Sequence, residues 1–210
     1  MEFSPKRCIL SPAPQELVFQ NSKFNFRPIC ETDLEDLYTW RTDPLVGQFL
    51  ASAPPASLDD QIAWYRRYLD DESSLNFIVS STTNAARRFG YCQLLKIDMD
   101  EKCLEIGSVV AVRELLGLGV GYAQATSLLT ICFDQLGMKT IYANNHPEND
   151  GSNRLHAEFW RSTRIDYEHS YKKDGQILFS LTKRAFEEFA TRISQKRARW
   201  KPYFETIPVV

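Results

Sequence analysis

The sequence predicts a mixed α/β domain in which one central sheet is flanked by helices. Apolar segments of strand length alternate with segments whose apolar residues recur every three or four positions, in the order β-α-α-β-β-β-α-β-α-β-β. The three consecutive strands are separated by short polar turns, which favours pairing of neighbours. A glycine-rich turn, LLGLGVG, then leads from the last of these strands into a helix.

Length and composition set the class of protein. The chain has 210 residues, 43% of them hydrophobic and 25% charged, as expected of one globular domain with a sizeable core. A net charge of −2 gives no reason to expect nucleic acid or an anionic membrane surface as a partner. No stretch reaches the ~18 apolar residues of a membrane-spanning helix, and the N-terminus does not resemble a signal peptide.

Cysteine usage indicates the compartment. The five cysteines are odd in number, widely spaced and without a CxxC pair. This pattern favours free thiols in the reducing cytoplasm and disfavours a zinc site. We therefore expect a cytoplasmic protein without a metal.

The first part of the chain is predicted to contain an irregular lead-in, one strand and two helices. Residues 1–22 are rich in Pro and Ser and are predicted to be an irregular lead-in. FNFRPI is the first predicted strand, and Thr32 and Asp33 supply N-cap chemistry for a helix that runs to about Arg41. Ser57 is the predicted N-cap of the second helix, with acidic residues in its first turn, where the helix dipole favours them.

The second half holds the remaining elements. Strands are predicted at LNFIVSS, RFGYCQLLKID and CLEIGSVVAV, and a helix from about Val120 to Leu136, ended by Gly137. KTIYANN is another strand, and the segment after it begins as a loop and becomes a helix. YEHSYKK and QILFSLTKRAF form a predicted antiparallel pair around Asp174-Gly175. We divide the chain into a lead-in at 1–22, a domain at 23–194 and a tail at 195–210.

The glycine turn is suited to bind an anion. Gly117, Gly119 and Gly121 carry no Cβ, so successive backbone N–H groups can converge on a phosphate at a helix N-terminus. The pattern matches neither the P-loop nor the dinucleotide fingerprint. A tight turn with close helix–strand packing is the alternative interpretation.

A second motif follows about thirty residues later, where an Asn-x-x-Ser sequence opens a helix after a strand. Together the two motifs resemble the GNAT superfamily of acetyl-CoA-dependent N-acetyltransferases, over roughly residues 24–186. Leu116 to Tyr122 resembles the family's pyrophosphate turn, with Leu116 in a slot that is usually Arg or Gln. Arg113 could compensate or could be a solvated loop residue. The segments FRPICETDLEDLYTWRTDP and KKDGQILFSLTKRAFEE are most similar to the branch that acetylates ribosomal-protein N-termini and to nucleotide-linked amino-sugar acetyltransferases.

The resemblance implies a mostly antiparallel sheet with the cofactor arm between two splayed central strands. It also implies which residues contact acetyl-CoA, with Asn149 holding the cofactor arm through its amide. Turn chemistry after Pro147 is the alternative role for Asn149. The implied cofactor-binding residues are Val109, Val110, Ala111, Leu116, Gly117, Gly119, Val120, Gly121, Tyr122, Asn149 and Ser152.

Two residues are candidates for proton transfer. His156 occupies the slot of the family's usual tyrosine acid, and a free imidazole of pKa near 6.5 would be about a quarter protonated at pH 7. Its alternative role is packing at the helix surface. Glu105 is the candidate base, acting directly or through water, because an acid in an apolar strand is costly unless it faces solvent, a cleft or a partner. A partly exposed sheet face is the alternative.

The acceptor is expected to bind near Trp40 and Arg41, where the Arg could pair with a carboxylate or phosphate. A core role for Trp40 and a surface role for Arg41 remain open. We expect the acceptor to be a protein N-terminal amine, with an amino sugar or other small amine as the alternative, and the enzyme to be a monomer or homodimer. A non-catalytic GNAT-fold module that binds CoA or a partner is the hypothesis of another class.

Overall fold

The computed structural model describes residues 19–20, 24–82, 87–160, 177–189 and 191. Side chains are described within these ranges except at positions 19, 20 and 158–160. The predicted strand YEHSYKK, the Asp174-Gly175 turn, most of the lead-in and the tail lie outside the described residues.

The described strands form one seven-stranded sheet in the order β1-β2-β3-β4-β5-β6-β7. Each neighbouring pair is antiparallel except β5 and β6, which are parallel. The strands are β1 Phe19–Gln20, β2 Phe24–Pro28, β3 Leu75–Ser81, β4 Arg88–Asp98, β5 Cys103–Val110, β6 Thr140–Asn145 and β7 Ile177–Thr182. The mixed, mostly antiparallel sheet predicted from the sequence is therefore confirmed. Two predictions are corrected: β1 lies in the lead-in that was expected to be irregular, and the strand expected at QILFSLTKRAF ends at Thr182, where a helix follows.

Helices pack on both faces of this sheet. They are α1 Leu34–Thr42, α2 Pro44–Gly47, α3 Leu58–Asp70, α4 Val120–Thr130, α5 Asp150–Trp160 and α6 183–189, with 3-10 turns at Glu31–Asp33 and Arg113–Leu115. The predicted N-cap of α3 is confirmed, because the Ser57 Oγ accepts the Asp60 N–H at 3.2 Å. In the described ranges no helix has both the length and the apolar character needed to cross a membrane.

The helix after the glycine turn differs from its prediction. A continuous helix to Leu136 was expected, but the α-helical bonding of α4 ends at Thr130 and a π-helical turn, Ile131–Gln135, follows. Gly137 then ends the helix in the left-handed region, with φ of 68°, as predicted.

The alternation of side chains in the strands builds two cores. In β3, Phe77 and Val79 face the larger core beneath α4, whereas Ile78 between them faces the smaller core beneath α1 and α3. Tyr91 of β4 joins Ile78 on the smaller side. Since both faces of β3 are covered, the whole strand is buried. The smaller side contains the candidate acceptor cavity described below.

Asp33 was predicted to cap α1, but its side chain makes no capping hydrogen bond to this helix. Its carboxylate is buried and bonded to Arg27 at 2.8 and 2.9 Å and to Arg88 at 2.8 Å. Burial alone would raise the pKa of Asp33, but the hydrogen bonds from Arg27 and from the Cys30 backbone N–H lower it below its usual range. The carboxylate therefore ties β2 to β4 across the start of α1.

Candidate active site

The sheet opens between its two parallel strands. The β5–β6 ladder runs from Cys103 opposite Thr140 to Glu105 opposite Tyr142 and then stops. Beyond this point β5 continues along β4 as far as Val110, and β6 continues along β7. The two strands consequently part, as the predicted splayed pair should, and the backbone edge of β5 after Glu105 is exposed to the gap.

The last backbone N–H of β5, that of Val110, faces this gap. The Ala111 N–H donates to the Phe89 carbonyl at 2.8 Å, so it points toward β4 and is already bonded. Residues of an antiparallel strand alternate in direction, which turns the Val109 N–H toward β4 and the Val110 N–H toward the gap. Of the three backbone positions predicted to contact the cofactor, Val110 is the one whose N–H points toward the gap.

Gly90 permits the close approach of β4 to β5 at this point. A Cβ built on Gly90 would lie 2.0 Å from the Val109 carbonyl oxygen, a position that no strand pair can accommodate without moving apart. We expect Gly90→Ala to lower the free energy of unfolding by about 1–3 kcal/mol. Urea unfolding of Gly107→Ala is the control, because its Cβ would meet only the flexible Gln93 side chain, at 3.4 Å. Equal losses in both variants would contradict this account.

The glycine turn has the geometry of an anion cradle. Gly117 and Gly119 have φ of 77° and 79°, and a Cβ built on either meets nothing within 4 Å. The first helical bond of α4 joins the Ala123 N–H to the Gly119 carbonyl at 3.1 Å. The N–H groups of Val120 and Gly121 precede this bond, so intrahelical bonding does not use them. An open concave backbone at a helix N-terminus fits a pyrophosphate.

The side chains around the turn contribute less polarity than the family pattern predicts. The side chains of Leu116 and Leu118 are apolar and cannot form hydrogen bonds, and these residues are exposed by 47% and 45%. Arg113 does not replace the missing polar side chain, because its guanidinium is forked onto Asp43 at 2.9 and 3.0 Å. Tyr122 packs on the larger core with its ring 6.5 Å from that of Phe189. Backbone N–H groups are therefore the main hydrogen-bond donors that this turn offers to an anion.

His156 is a buried neutral imidazole. Its Nδ1 lies 2.6 Å from the Asn145 Nδ2, which donates, so the ring proton belongs on Nε2. The Asn145 amide also donates to Asn153 at 3.1 Å, which fixes its orientation. Burial lowers the pKa of His156 to about 4. The free-imidazole pKa of 6.5 therefore does not apply to this ring, because folding removes the water that would stabilise the charged form.

Asn149 caps α5. Its Oδ1 accepts the Ser152 N–H at 3.1 Å, which is the local role considered as the alternative to cofactor binding. This bond uses the oxygen and leaves the Nδ2 group out of the cap. The Ser152 Oγ lies 3.4 Å from the His156 Nδ1, so the Asn-x-x-Ser motif and the histidine form one cluster at the start of the helix.

A cavity of about 340 Å³ lies on the sheet face covered by α1 and α3. It is lined by Ile29, Leu37, Arg41, Leu50, Ala51, Ser52, Gln61, Trp64, Asn76, Tyr91, Gln93, Leu95, Lys96, Glu105 and Asn144. Glu105 therefore lies both on the cavity wall and at the point where β5 and β6 part. Its Oε2 is 2.7 Å from the Lys96 Nζ.

The polar side chains of this cavity were not among the site residues predicted from the sequence. Gln93 and Asn76 lie on paired strands, and the Gln93 Nε2 donates to the Asn76 Oδ1 at 2.8 Å. Each interrupts an apolar strand, which is the same signal that singled out Glu105. Applied consistently, that signal would have found them.

Of the two residues predicted to bind the acceptor, Arg41 lines the cavity and Trp40 does not. Arg41 lines the cavity, with its guanidinium carbon 5.7 Å from the centre of the Trp64 ring. Trp40 is absent from the cavity lining and stacks on Tyr91 at 6.4 Å between ring centres, so its contact with the cavity is through Tyr91.

The described cysteines are free thiols: Cys30, Cys92, Cys103 and Cys132. Burial raises the pKa of Cys92 to about 12, which keeps this thiol protonated near neutral pH and unsuited to nucleophilic attack. Within the described ranges no group of three or more His, Cys, Asp or Glu side chains is placed to hold a metal ion.

Comparison with known proteins assigns the class. The model of the acetyltransferase (GNAT) domain family matches residues 23–159, which is more than half of the chain. The chain therefore belongs to the GNAT acetyltransferase family. Members of this family are acetyltransferases that use acetyl-CoA.

Solved structures share the fold at low sequence identity. Spermidine N-acetyltransferase from Vibrio cholerae, in complex with CoA and spermine, is 18% identical with a TM-score of 0.65, over 80% of this chain and 99% of that chain. FdhC, a nucleotide-linked sugar GNAT, is 17% identical with a TM-score of 0.68, over 85% and 97%. A domain from Methanocaldococcus jannaschii DSM 2661 is 21% identical with a TM-score of 0.63, over 77% and 99%. No curated protein sequence matches the chain.

Proposed function

We propose that this protein transfers the acetyl group of acetyl-CoA to a primary amine by direct attack of the amine on the thioester. One observation carries the proposal. The gap between β5 and β6 has the glycine turn at the end of β5 and the cavity containing Glu105 on the sheet face, so a donor and an acceptor can meet there.

The donor side is built mainly from backbone. The N–H groups of Val120 and Gly121, with the open turn at Gly117 and Gly119, would hold the pyrophosphate. The exposed edge of β5 would bind the cofactor arm as an added strand. Acetyl-CoA supplies an activated acyl group, and the Val110 N–H would donate a hydrogen bond where charge develops on the carbonyl oxygen.

The acceptor side requires a neutral amine. Glu105 would take the proton from the ammonium form, directly or through water, and the contact with Lys96 at 2.7 Å orients its carboxylate. His156 would act as a neutral hydrogen-bond donor through Nε2–H to the leaving CoA thiolate, since its Nδ1 accepts from Asn145. The thiolate would take up the proton that the amine nitrogen loses on attack. In addition, Asn149 would contact the cofactor arm through its Nδ2 group, beside Ser152. No covalent nucleophile is needed, because the thioester is itself activated.

We favour a protein N-terminal amine as the acceptor, in keeping with the resemblance of the first helix and closing segment to the branch that acetylates ribosomal-protein N-termini. A cavity of about 340 Å³ is at the lower end for ligand sites and suits the end of a chain or a small molecule. An amino-sugar acceptor is the second candidate, supported by the similarity to a nucleotide-linked sugar GNAT. Action in the cytoplasm as a monomer or homodimer completes the proposal.

Acetyl-CoA binding is the first test. At about 100 times Kd, acetyl-CoA should stabilise the protein by about 2.7 kcal/mol, which raises Tm by roughly 5–10 °C for a chain of this size. Gly119→Ala should weaken binding at least ~10-fold and about halve that stabilisation, because alanine disfavours a φ of 79° and would shift the backbone N–H groups of the turn. Differential scanning fluorimetry with and without the ligand measures both.

Gly137→Ala is the matched control. Gly137 also has a positive φ, 68°, but it ends the helix away from the turn, so its substitution strains the backbone without touching the cradle. Its ligand-induced shift should equal that of the unaltered protein. If neither acetyl-CoA nor CoA changes Tm, the cradle does not bind this cofactor, and the hypothesis of a non-catalytic partner-binding module replaces the proposal.

A further inference from the structure

We infer that the acceptor carries a carboxylate or phosphate in addition to its amine, and that the site selects against polycationic amines. This inference rests on the proposed function and names the substrate class of the same cavity. It follows from the charges that line the cavity and from the way in which each of them is held.

The charged residues that line the cavity are Arg41, Lys96 and Glu105. Lys96 and Glu105 form an ion pair at 2.7 Å, with side chains exposed by 44% and 13%, so their charges largely cancel. The other polar lining residues are neutral, including the bonded pair Asn76 and Gln93. The described wall of the cavity therefore carries a net positive charge, which belongs to Arg41.

Arg41 is held by neutral groups. Its Nη1 donates to the Gln61 Oε1 at 3.2 Å, and its Nη2 donates to the Ser52 Oγ at 2.8 Å. Among the described residues no carboxylate lies within 4.0 Å of this guanidinium, whereas Arg27, Arg88 and Arg113 each form a salt bridge. The positive charge is thus fixed in place and not neutralised by the residues around it.

The position of Arg41 is preorganised. Gln61 is fully buried, and its oxygen must face the guanidinium, because the opposite orientation would set two donors against each other. The Trp64 ring supports the guanidinium from one side. A guanidinium that is already oriented loses little freedom when it binds an anion, which is favourable for bidentate recognition of a carboxylate or phosphate.

The two charges of such an acceptor match the cavity. Its anionic group would bond to Arg41, and its ammonium group would approach Glu105 at the edge of the sheet opening. A polyamine would instead bring further ammonium groups toward Arg41, where like charges repel. The ion pair of Glu105 with Lys96 also limits the negative charge that could attract a polycation.

Matched acceptors test this selection. We would measure thiol release from acetyl-CoA with glucosamine and glucosamine 6-phosphate, with the peptide amides Ala-Ala-NH₂ and Ala-Asp-NH₂, and with spermidine. The anionic member of at least one pair should have the higher kcat/KM by about 10-fold or more, and spermidine should be the poorest acceptor. The pair that shows the difference tells whether the anion is the phosphate of a sugar or the carboxylate of a peptide.

Arg41→Gln should remove this preference. The loss of charge-assisted bonds predicts a decrease of about 10- to 100-fold in kcat/KM for the anionic acceptor and a clearly smaller decrease for the neutral member of the pair. Arg41→Lys should restore part of the preference, because it keeps the charge and loses the fork. Arg67→Gln is the control, since Arg67 is exposed on the same helix as Gln61 and does not line the cavity.

Failure of the inference is distinct from failure of the proposed function. Efficient turnover of spermidine, or an equal loss for both members of a pair in Arg41→Gln, would overturn the charge selection and leave acetyl transfer intact. The absence of thiol release with every amine, together with no effect of acetyl-CoA on Tm, would overturn the proposed function instead.

Discussion

Glu105→Gln is expected to lower kcat/KM by about 10²–10⁴-fold, the usual contribution of a general base. The substitution keeps the size of the side chain and removes the proton acceptor from the point where β5 and β6 part. The decrease in kcat/KM should be largest below the pKa of the acceptor amine, where a proton must be removed before attack. Above that pKa the difference in kcat/KM between the variant and the unaltered protein should become smaller. Initial rates of thiol release across pH 6–9 measure this profile.

Two controls separate chemistry from stability. Glu101→Gln changes the same residue type in the exposed turn before β5 and should leave the rates unaltered. The Tm of Glu105→Gln should change little, because the Lys96 ammonium group that loses its partner is 44% exposed and can be solvated. An unaltered pH profile in Glu105→Gln would show that Glu105 lines the cavity without acting as a general base.

The protein is expected to lose stability between pH 6.5 and pH 4 because of His156. Burial lowers the pKa of His156 in the folded state to about 4, whereas the imidazole of the unfolded chain titrates near 6.5. Below pH 6.5 the unfolded state therefore binds a proton that the folded state does not. By linkage, the free energy of unfolding should be about 2 kcal/mol lower at pH 5 than at pH 7 from this residue alone.

His156→Gln isolates this contribution. Glutamine does not titrate, and its amide oxygen can accept the Asn145 hydrogen bond that the imidazole Nδ1 accepts at 2.6 Å. Urea unfolding at both pH values should show a smaller loss on acidification in this variant than in the unaltered protein. NMR titration of the imidazole provides an independent value, and a midpoint near 6.5 would contradict the buried neutral histidine.

Local patterns were sufficient to predict most of the fold. Short apolar segments bounded by polar turns placed β3 and β4 at the observed residues, since segment length and turn residues are local features of the chain. Ser57 and Gly137 mark helix ends through bonds and φ values made within a few residues. The continuous helix to Leu136 was wrong, because its periodicity does not distinguish an α-helical turn from a π-helical one.

Contacts between distant parts of the chain decided the partners of Asp33 and the pKa of His156. Asp33 has the residue type of an N-cap, but two arginines from β2 and β4 bind its carboxylate once the sheet has formed. His156 has an ordinary sequence context, and only packing against Phe179 and Asn145 removes the water that would stabilise its charge. Local patterns cannot register either change, because desolvation depends on elements distant in the chain.

By itself, the sequence determined the order of strands and helices from β2 to β7 apart from the short α2, the glycine turn that precedes α4 and the family resemblance, since all of these are encoded by neighbouring residues. Only the tertiary structure decided where β5 and β6 part, that Glu105 shares a cavity with Arg41, and that Arg113 binds Asp43 and is not left free for phosphate. The physical reason is that strand divergence, cavity shape and charge pairing are properties of segments brought together by folding.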